Sequence, residues 1–408
     1  MKKEYMILGQ DALYNMNCYE TKLNNNVLVV GASGTGKTRG IVIPNLLMAN
    51  GSYVISDPKG NLYRKYGSYL KKQGYTVRRL DFADPANSEQ YNFFHYIESS
   101  MDIVRIAHMI VYASPGRSND PFWDEAAQIL LESLIAFLWE NYDPSDQTPS
   151  NVSKLLDIAE IDENDAATES PLDVLFREAG EKNPNSFAVK LYNSYRIGAG
   201  KTLKSILISL NAKLFLFTTP EITSMTNDNS FEIADLGRKK TALFVNVSDS
   251  DRSLDTLINI FFSQAMNALC RFADTKCPDS RLPVPVRFIL DDFATNCVIT
   301  DFPRMISSIR SRGISVMLMI QAESQLEQYY KNDASTIIGN CDSYVYLGGN
   351  DLETARRIAE RCNLPLKKIL FMPLGTSWIF RRGAEPRQCE NFDLDSLFVG
   401  SMPVKEER

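Results

Sequence analysis

The chain has 408 residues, 44% hydrophobic and 23% charged, the balance of an ordinary globular protein with room for two or three domains. Its formal net charge of −6 excludes a uniformly basic nucleic-acid coat, so any contact with DNA has to be local. Seven scattered cysteines with no C-x-x-C pair, and only two histidines, His95 and His108, argue against a disulfide scaffold, a cysteine zinc site and Ser-His-Asp chemistry, and fit a reducing cytosolic setting.

Lys2 and Lys3 open the chain without the apolar run of a signal peptide. The most apolar helical pattern, Ile129 to Trp139, is broken by Glu132 and is too short to span a bilayer. The first third alternates between two periods. Asn26–Val30, Tyr53–Ser56 and Tyr75–Phe82 read as strands; Thr38–Asn50, with a kink at Pro44, and Leu62–Lys72 read as helices. Strand, helix, strand with short connections predicts a right-handed parallel α/β sheet. From about Met101 to Asp235 helical patterns dominate: Phe122–Asn141, Leu172–Ala179 and Ser186–Leu214. This stretch holds about twice as many acidic as basic residues, and Asp143–Thr168 reads as a loop or a partly ordered connection. Strands return at Lys240–Val247, Val284–Asp291, Ile314–Ile320, Tyr344–Leu347 and Thr376–Arg381. The expected organisation is an α/β domain over 1–100 and 236–400, an all-α insertion over 101–235, and a frayed tail over 401–408.

Gly31-Ala32-Ser33-Gly34-Thr35-Gly36-Lys37-Thr38 matches G-x-x-x-x-G-K-[ST], between an apolar strand and a helix. Glycines let the backbone wrap an anion with its N–H groups turned inward, and the helix N-terminus adds partial positive charge. Lys37 reaches the β- and γ-phosphates of a nucleotide, and Thr38 offers its hydroxyl to Mg2+. The plain alternative is a glycine-rich structural turn. The apolar strand Val286–Leu290 ends in two carboxylates. Asp291 is expected to hold Mg2+ through water and Asp292 to polarise the attacking water as general base. The usual second acid in such motors is Glu; Asp is one methylene shorter, which predicts slow turnover. Gln321 ends the next strand, where it either contacts the γ-phosphate or simply caps the strand. Arg310 and Arg312 precede that strand, as arginine fingers for a neighbouring subunit or as surface charges. No N-K-x-D guanine motif and no LSGGQ-like signature is present, which weakens small-GTPase and ABC-transporter readings.

These segments resemble the coupling-protein ATPases of type IV secretion and conjugation, the TraG/TraD-like family. Asp57-Pro58-Lys59-Gly60-Asn61-Leu62 is similar to the family's D-P-K-G-E-L, and Asp120-Pro121-Phe122-Trp123 to the segment opening its all-α domain. Leu290-Asp291-Asp292-Phe293-Ala294 resembles L-D-E-F-A. Ile309-Arg310-Ser311-Arg312-Gly313-Ile314 and Ile320-Gln321-Ala322 resemble R-x-x-G-I and a Q-S strand end. Gly339-Asn340-Cys341 and Leu347-Gly348-Gly349-Asn350-Asp351 resemble the late G-N-C and L-G-x-N-D segments. The resemblance implies a RecA-like P-loop NTPase domain interrupted by an all-α domain. It also implies ATP and Mg2+ as ligands, a homo-hexamer when active and a monomer in isolation, and delivery of relaxase-bound DNA, single- or double-stranded, into a secretion channel. It assigns Lys37 and Thr38 to phosphate and Mg2+, Asp291 to the metal, Asp292 to the catalytic acid, Gln321 to γ-phosphate sensing and Arg310 to the arginine finger.

Three departures qualify it. Family members usually begin with transmembrane helices, whereas this sequence reaches its phosphate loop by residue 31. The expectation is docking at the cytoplasmic face of the inner membrane through a separate anchor protein, or a sequence that is a piece of a longer chain. Asp292 stands for Glu, and Asn61 for the acid after D-P-K-G. The acidic helical region suits a basic protein partner, a relaxase or its accessory factors, better than it suits DNA. DNA is expected on the α/β part, with Lys65, Lys71, Lys72, Arg78, Arg79, Arg304 and Lys201 as candidates. Phe122 and Trp123 read as packing residues; Tyr329 and Tyr330 read as packing or base-stacking residues. Two other readings remain open: a nucleotide-gated receptor for protein cargo, and a general DNA-translocating ATPase of the same superfamily.

Overall fold

Four of the sheet strands contain little but buried apolar side chains. Val27–Val30, Ser52–Ser56, Val286–Leu290 and Ile314–Ile320 are buried at every position, the pattern of strands covered on both faces. In a computed structural model, which describes residues 4–113, 121–160, 168–198, 200–248, 250–295, 297–299 and 301–397, they form the centre of a nine-stranded sheet.

The strands in chain order are β1 (Tyr5–Gly9), β2 (Ala12–Asn15), β3 (Val27–Val30), β4 (Ser52–Ser56), β5 (Thr76–Asp81), β6 (Thr241–Asn246), β7 (Val286–Leu290), β8 (Ile314–Ile320), β9 (Ser343–Tyr346), β10 (Thr376–Arg381) and β11 (Arg387–Glu390). β1 and β2 make a separate antiparallel pair. The large sheet runs β11-β10-β9-β3-β8-β7-β4-β6-β5. From β9 to β6 the pairings are parallel; β10 and β11 add an antiparallel edge. The parallel α/β expectation is met. One face of the sheet packs Val27, Val29, Ile55, Phe244, Ile289, Met317 and Val345 against Ile41, Leu46, Leu62 and Leu70. Each such burial contributes roughly 1.5–3 kcal/mol.

The chain divides into two compact units. One comprises residues 1–79, 233–250 and 265–408; the other comprises 80–232 and 251–264. The second unit begins at Leu80, at the end of β5, and takes in a later segment, 251–264; its first α-helix is Ser100–Ala113. Within it, every regular element from Phe93 to Thr226 among the described residues is helical. Helix Pro121–Asn141 forms its centre, with Leu130, Leu131, Leu134, Ile135 and Leu138 buried. Phe176 stacks on Tyr192 with ring centroids 3.9 Å apart. Glu140 accepts backbone N–H groups of Phe187 at 3.0 Å and Ala188 at 3.4 Å, which fixes the start of helix Phe187–Arg196.

Two sequence expectations are corrected here and an open one is decided. Of the two readings of Asp143–Thr168, the partly ordered connection holds, because helix Pro149–Asp157 lies inside it; residues 161–167 lie outside the described ones. Pro149 starts that helix rather than breaking one, and the Thr148 hydroxyl caps it by accepting from the Asn151 N–H. Ser186–Leu214 is two helices, Phe187–Arg196 and Gly200–Leu214, separated by a turn in which Gly198 donates to the Tyr195 carbonyl. Thr38–Asn50 changes winding instead of kinking: wide π-type turns over Lys37–Val42 pass into an α-helix at Ile43–Leu47. Asp120 and the 401–408 tail lie outside the described residues.

Glu132 sits on the buried face of Pro121–Asn141 and accepts from Gln128 Nε2 at 2.6 Å. Burial lifts its carboxyl pKa above the ordinary value. Ionised Glu132 therefore destabilises the fold above that raised pKa, and the penalty fades as pH falls toward the unfolded value. Glu132→Gln keeps the acceptor oxygen and is expected to raise the thermal midpoint by a few degrees at pH 7–8. The gain should vanish on acidification, as followed by circular dichroism melts across pH.

Candidate nucleotide-binding site

The parallel register decides where the loops go. Val30 lies opposite Ile320 on one side and Tyr346 on the other, and Leu290 lies opposite Leu318. The segments leaving β3, β7, β8 and β9 therefore emerge at one edge of the sheet, the edge at which open α/β folds bind ligands.

Gly31 to Thr38 leaves β3 there. The Gly31 N–H donates to the Ile320 carbonyl at 3.1 Å, and the Ala32 N–H to the Gly348 carbonyl at 3.0 Å. A Cβ on Gly31 would lie 2.6 Å from Thr35 Oγ1 and 2.9 Å from Leu347 Cβ, so only glycine fits. Gly34 and Gly36 turn the loop through left-handed conformations with φ of 78° and 93°. Lys37 is 8% exposed, and its ammonium donates to the carbonyls of Gly31 at 2.6 Å and Ala32 at 3.2 Å. Burial pushes its pKa down; attraction to Asp292 and Asp291 opposes that.

The carboxylates arrive from β7. The Thr38 hydroxyl donates to Asp291 Oδ2 at 2.8 Å, across 253 positions of sequence. Asp291 is 8% exposed, and burial raises its pKa against the hydrogen bond from Thr38. The two are hard oxygen donors side by side, a pair that suits a magnesium ion retaining most of its waters. Asp292 adopts φ 52° and Ala294 φ 66°, in a turn closed by the Thr295 N–H donating to the Asp292 carbonyl at 3.1 Å. Gln321 follows β8 directly, next to the phosphate loop, with its N–H bound to Gln325 Oε1 at 2.7 Å.

Arg310 is not part of this cluster. It precedes Ile314 at the opposite end of β8, about 20 Å of strand away from Gln321, and its guanidinium donates to the Cys18 carbonyl at 2.9 Å. Arg312 makes a two-pronged ion pair with Asp274 at 2.8 Å. Tyr330 stacks on Phe293, and its hydroxyl bonds both backbone groups of Ile299, so it is a packing residue.

Sequence reasoning missed one neighbour. The segment after β11 returns to the phosphate loop: Asn391 Nδ2 donates to the Thr35 carbonyl at 3.3 Å, and Arg39 pairs with Asp395 at 3.3 Å. No local pattern in Asn391–Asp395 announces this, because both partners lie 356 positions away in the sequence. The Leu347–Asp351 segment, noted above for its likeness alone, now has a physical role. Its Gly348 carbonyl holds the loop at Ala32, and Asp351 caps helix Leu352–Cys362 by accepting from the Thr354 N–H at 2.8 Å.

The family described as Type IV secretory system Conjugative DNA transfer matches residues 2–363. The chain belongs to this family. Relatives of the chain include Protein VirD4 of Rhizobium radiobacter, 25% identical over 82% of this chain and 47% of the relative. Conjugal transfer protein TraG of Escherichia coli is 23% identical over 82% of this chain and 54% of its own length. The chain thus spans about half the length of the curated relatives it matches. Among solved structures, plasmid coupling protein TrwB in complex with ADP and Mg2+ is similar at TM-score 0.69 and 19% identity, covering 96% of this chain and 89% of that one. VirB4 of Thermoanaerobacter pseudethanolicus is similar at TM-score 0.57 and 12% identity, covering 96% and 98%. The fold is RecA-like, an α/β P-loop NTPase with a mainly parallel sheet. No helix among the described residues is long and apolar enough to cross a membrane.

In this family member the Asp of D-P-K-G supports a helix. Asp57 is buried at the end of β4 and accepts the N–H groups of Leu62 at 3.0 Å and Tyr63 at 2.8 Å in the first turn of helix Asn61–Lys72. Asn61 accepts from Arg64 at 2.8 Å on the exposed side of that turn. Asp57→Ala leaves both donors without their side-chain acceptor and is expected to cost about 1–2 kcal/mol, read as a lower urea midpoint at unchanged slope.

Proposed function

We propose that this chain is an ATP-driven coupling protein that recruits a relaxase–DNA substrate and moves DNA toward a type IV secretion channel during conjugative transfer. The observation that carries this reading is the Thr38–Asp291 hydrogen bond, which joins a phosphate loop to a carboxylate strand end in a chain of the conjugative-transfer family. The ADP and Mg2+ held by TrwB support the same ligand pair here.

The loop from Gly31 to Gly36 cradles the nucleotide phosphates with its backbone N–H groups beyond Ala32, those of Gly31 and Ala32 being tied to the Ile320 and Gly348 carbonyls. Lys37 turns its ammonium from the Gly31 and Ala32 carbonyls toward the β- and γ-phosphates. Thr38 and, through water, Asp291 would hold Mg2+, which would neutralise charge on the phosphate oxygens. Asp292 accepts a proton from the attacking water, with turnover slowed by its short reach. Gln321 senses the γ-phosphate. Arg310 acts only across a subunit boundary, consistent with its place at the far end of β8. That role requires a ring, and a homo-hexamer is the active form, dissociating to monomers in isolation.

The helical unit recognises basic protein cargo, a relaxase and its accessory factors. The α/β unit carries the DNA path. Exposed Lys65, Lys71, Lys72 and Arg304 lie on that unit, whereas exposed Lys201 lies on the helical one. The complex works at the cytoplasmic face of the inner membrane, where the secretion channel is reached.

ATP turnover by the purified chain is expected to rise on adding single-stranded DNA, and Asp292→Glu should raise it further. Lys37→Ala should weaken nucleotide binding about 100-fold in a fluorescent-nucleotide titration. Turnover indifferent to DNA over a range of salt and protein concentrations would remove the motor and leave a nucleotide-gated receptor for protein cargo. Unchanged nucleotide affinity in Lys37→Ala would overturn the site assignment.

A further inference from the structure

One side chain ties together the two loops that carry the hydrolytic groups. Gln325 sits in the first turn of helix Ser324–Tyr330. Its Oε1 accepts the Gln321 N–H at 2.7 Å, which fixes the end of β8. Its Nε2 donates to Thr295 Oγ1 at 3.2 Å, in the turn that follows Asp291 and Asp292. That turn needs holding. Asp292 and Ala294 are non-glycine residues at φ of 52° and 66°, conformations that cost of order 1 kcal/mol or more each unless their surroundings impose them. The Thr295 N–H closes the turn on the Asp292 carbonyl at 3.1 Å, so a pull on Thr295 is a pull on Asp292. The same helix grips the loop at its other end, where Tyr330 stacks on Phe293 at 5.9 Å. Backbone bonding adds one more tie, the Phe293 N–H to the Met319 carbonyl at 2.9 Å.

A helix cap alone would need only the first of the Gln325 bonds. The second reaches a different strand's loop and gives the amide both of its functions, one oxygen accepting and one nitrogen donating. We propose that Gln325 is a positioning residue that clamps the Asp292 turn to the Gln321 strand end and so sets the spacing of the two groups at the γ-phosphate. The inference rests on the reading of Asp292 and Gln321 as hydrolytic residues. It adds a mechanical link between them: displacement of Gln321 is transmitted to Asp292 through one side-chain amide as well as through the Phe293–Met319 backbone bond.

The test uses the full chain with Gln325→Ala, Gln325→Glu and Thr295→Val, each checked for an unchanged circular dichroism spectrum. Gln325→Ala is expected to raise amide hydrogen exchange at 292–295 and at 321, with 31–38 unchanged. It should also lower kcat about tenfold while KM for ATP stays within about twofold. Gln325→Glu keeps an acceptor for the Gln321 N–H and offers its second oxygen to the Thr295 hydroxyl, so it should restore most of the protection and the rate. Thr295→Val cuts only the second bond and should loosen 292–295 while leaving 321 protected. Unchanged exchange at 292–295 in Gln325→Ala, or Gln325→Glu behaving like Gln325→Ala, would overturn the clamp. If the wild-type chain turns over no ATP, the proposed motor fails, and the exchange data still decide the clamp on their own.

Discussion

The constraint on which the structure depends is the parallel register of β3 with β8 and β9, and of β8 with β7. Parallel strands all end at the same edge, so each loop that leaves them is delivered to the same place without further instruction. Residues far apart in sequence, from Lys37 and Thr38 through Asp291 and Asp292 to Gln321, become neighbours for that reason alone. A one-residue slip of β7 against β8 would invert every side chain of β7 and remove Asp291 from the reach of Thr38. The buried run of β8, seven apolar or small residues covered on both faces, is what makes such a slip prohibitive.

The edge so formed is electrostatically costly. Burial disfavours the charge on Lys37 and on Asp291 alike, and their attraction through a poorly solvated environment works against that cost. The carbonyls of Gly31 and Ala32 accept from Lys37, and the hydroxyl of Thr38 donates to Asp291, which offsets part of that cost. Backbone strain at Asp292 and Ala294 belongs to the same design, since a carboxylate aimed out of a tight turn is held by packing of Phe293 against Phe302 and Tyr330.

Much of this was legible in the sequence, because the relevant signals are local. The phosphate loop is a contiguous motif; β3, β4, β7 and β8 are short apolar runs; and Asp291 and Asp292 end one of them. What was not legible depends on partners elsewhere. β11 reads Arg-Gln-Cys-Glu, with no apolar alternation, because an edge strand needs only a backbone ladder to β10. Helix Pro149–Asp157 lay hidden behind a proline that starts helices as readily as it ends them. Arg310 matched a family pattern and precedes β8 in the sequence, but its hydrogen bond to the Cys18 carbonyl, 292 positions away, leaves no local trace. Asn391 reaches Thr35 only because β10 and β11 fold the chain back, and Gln325 looks like an ordinary surface glutamine until Thr295 is placed beside it.

The order of the strands carries a consequence for how the molecule comes into being. None of the first three strands of the large sheet is a neighbour of another: β3 lies between β9 and β8, β4 between β7 and β6, and β5 at the far edge beside β6. A ribosome therefore releases three unpaired strands, then the helical stretch, and only much later the strands that β3 and β4 pair with. Such long-range closure is slow, and it leaves apolar strand edges open during synthesis. The helical stretch pairs mostly with itself along the chain and has no such wait. β3, and with it the phosphate loop, can be seated only after β8 and β9 have left the ribosome. The newborn chain accordingly leaves β3 and β4 unpaired for much of its synthesis, and its phosphate loop is among the last features to be seated.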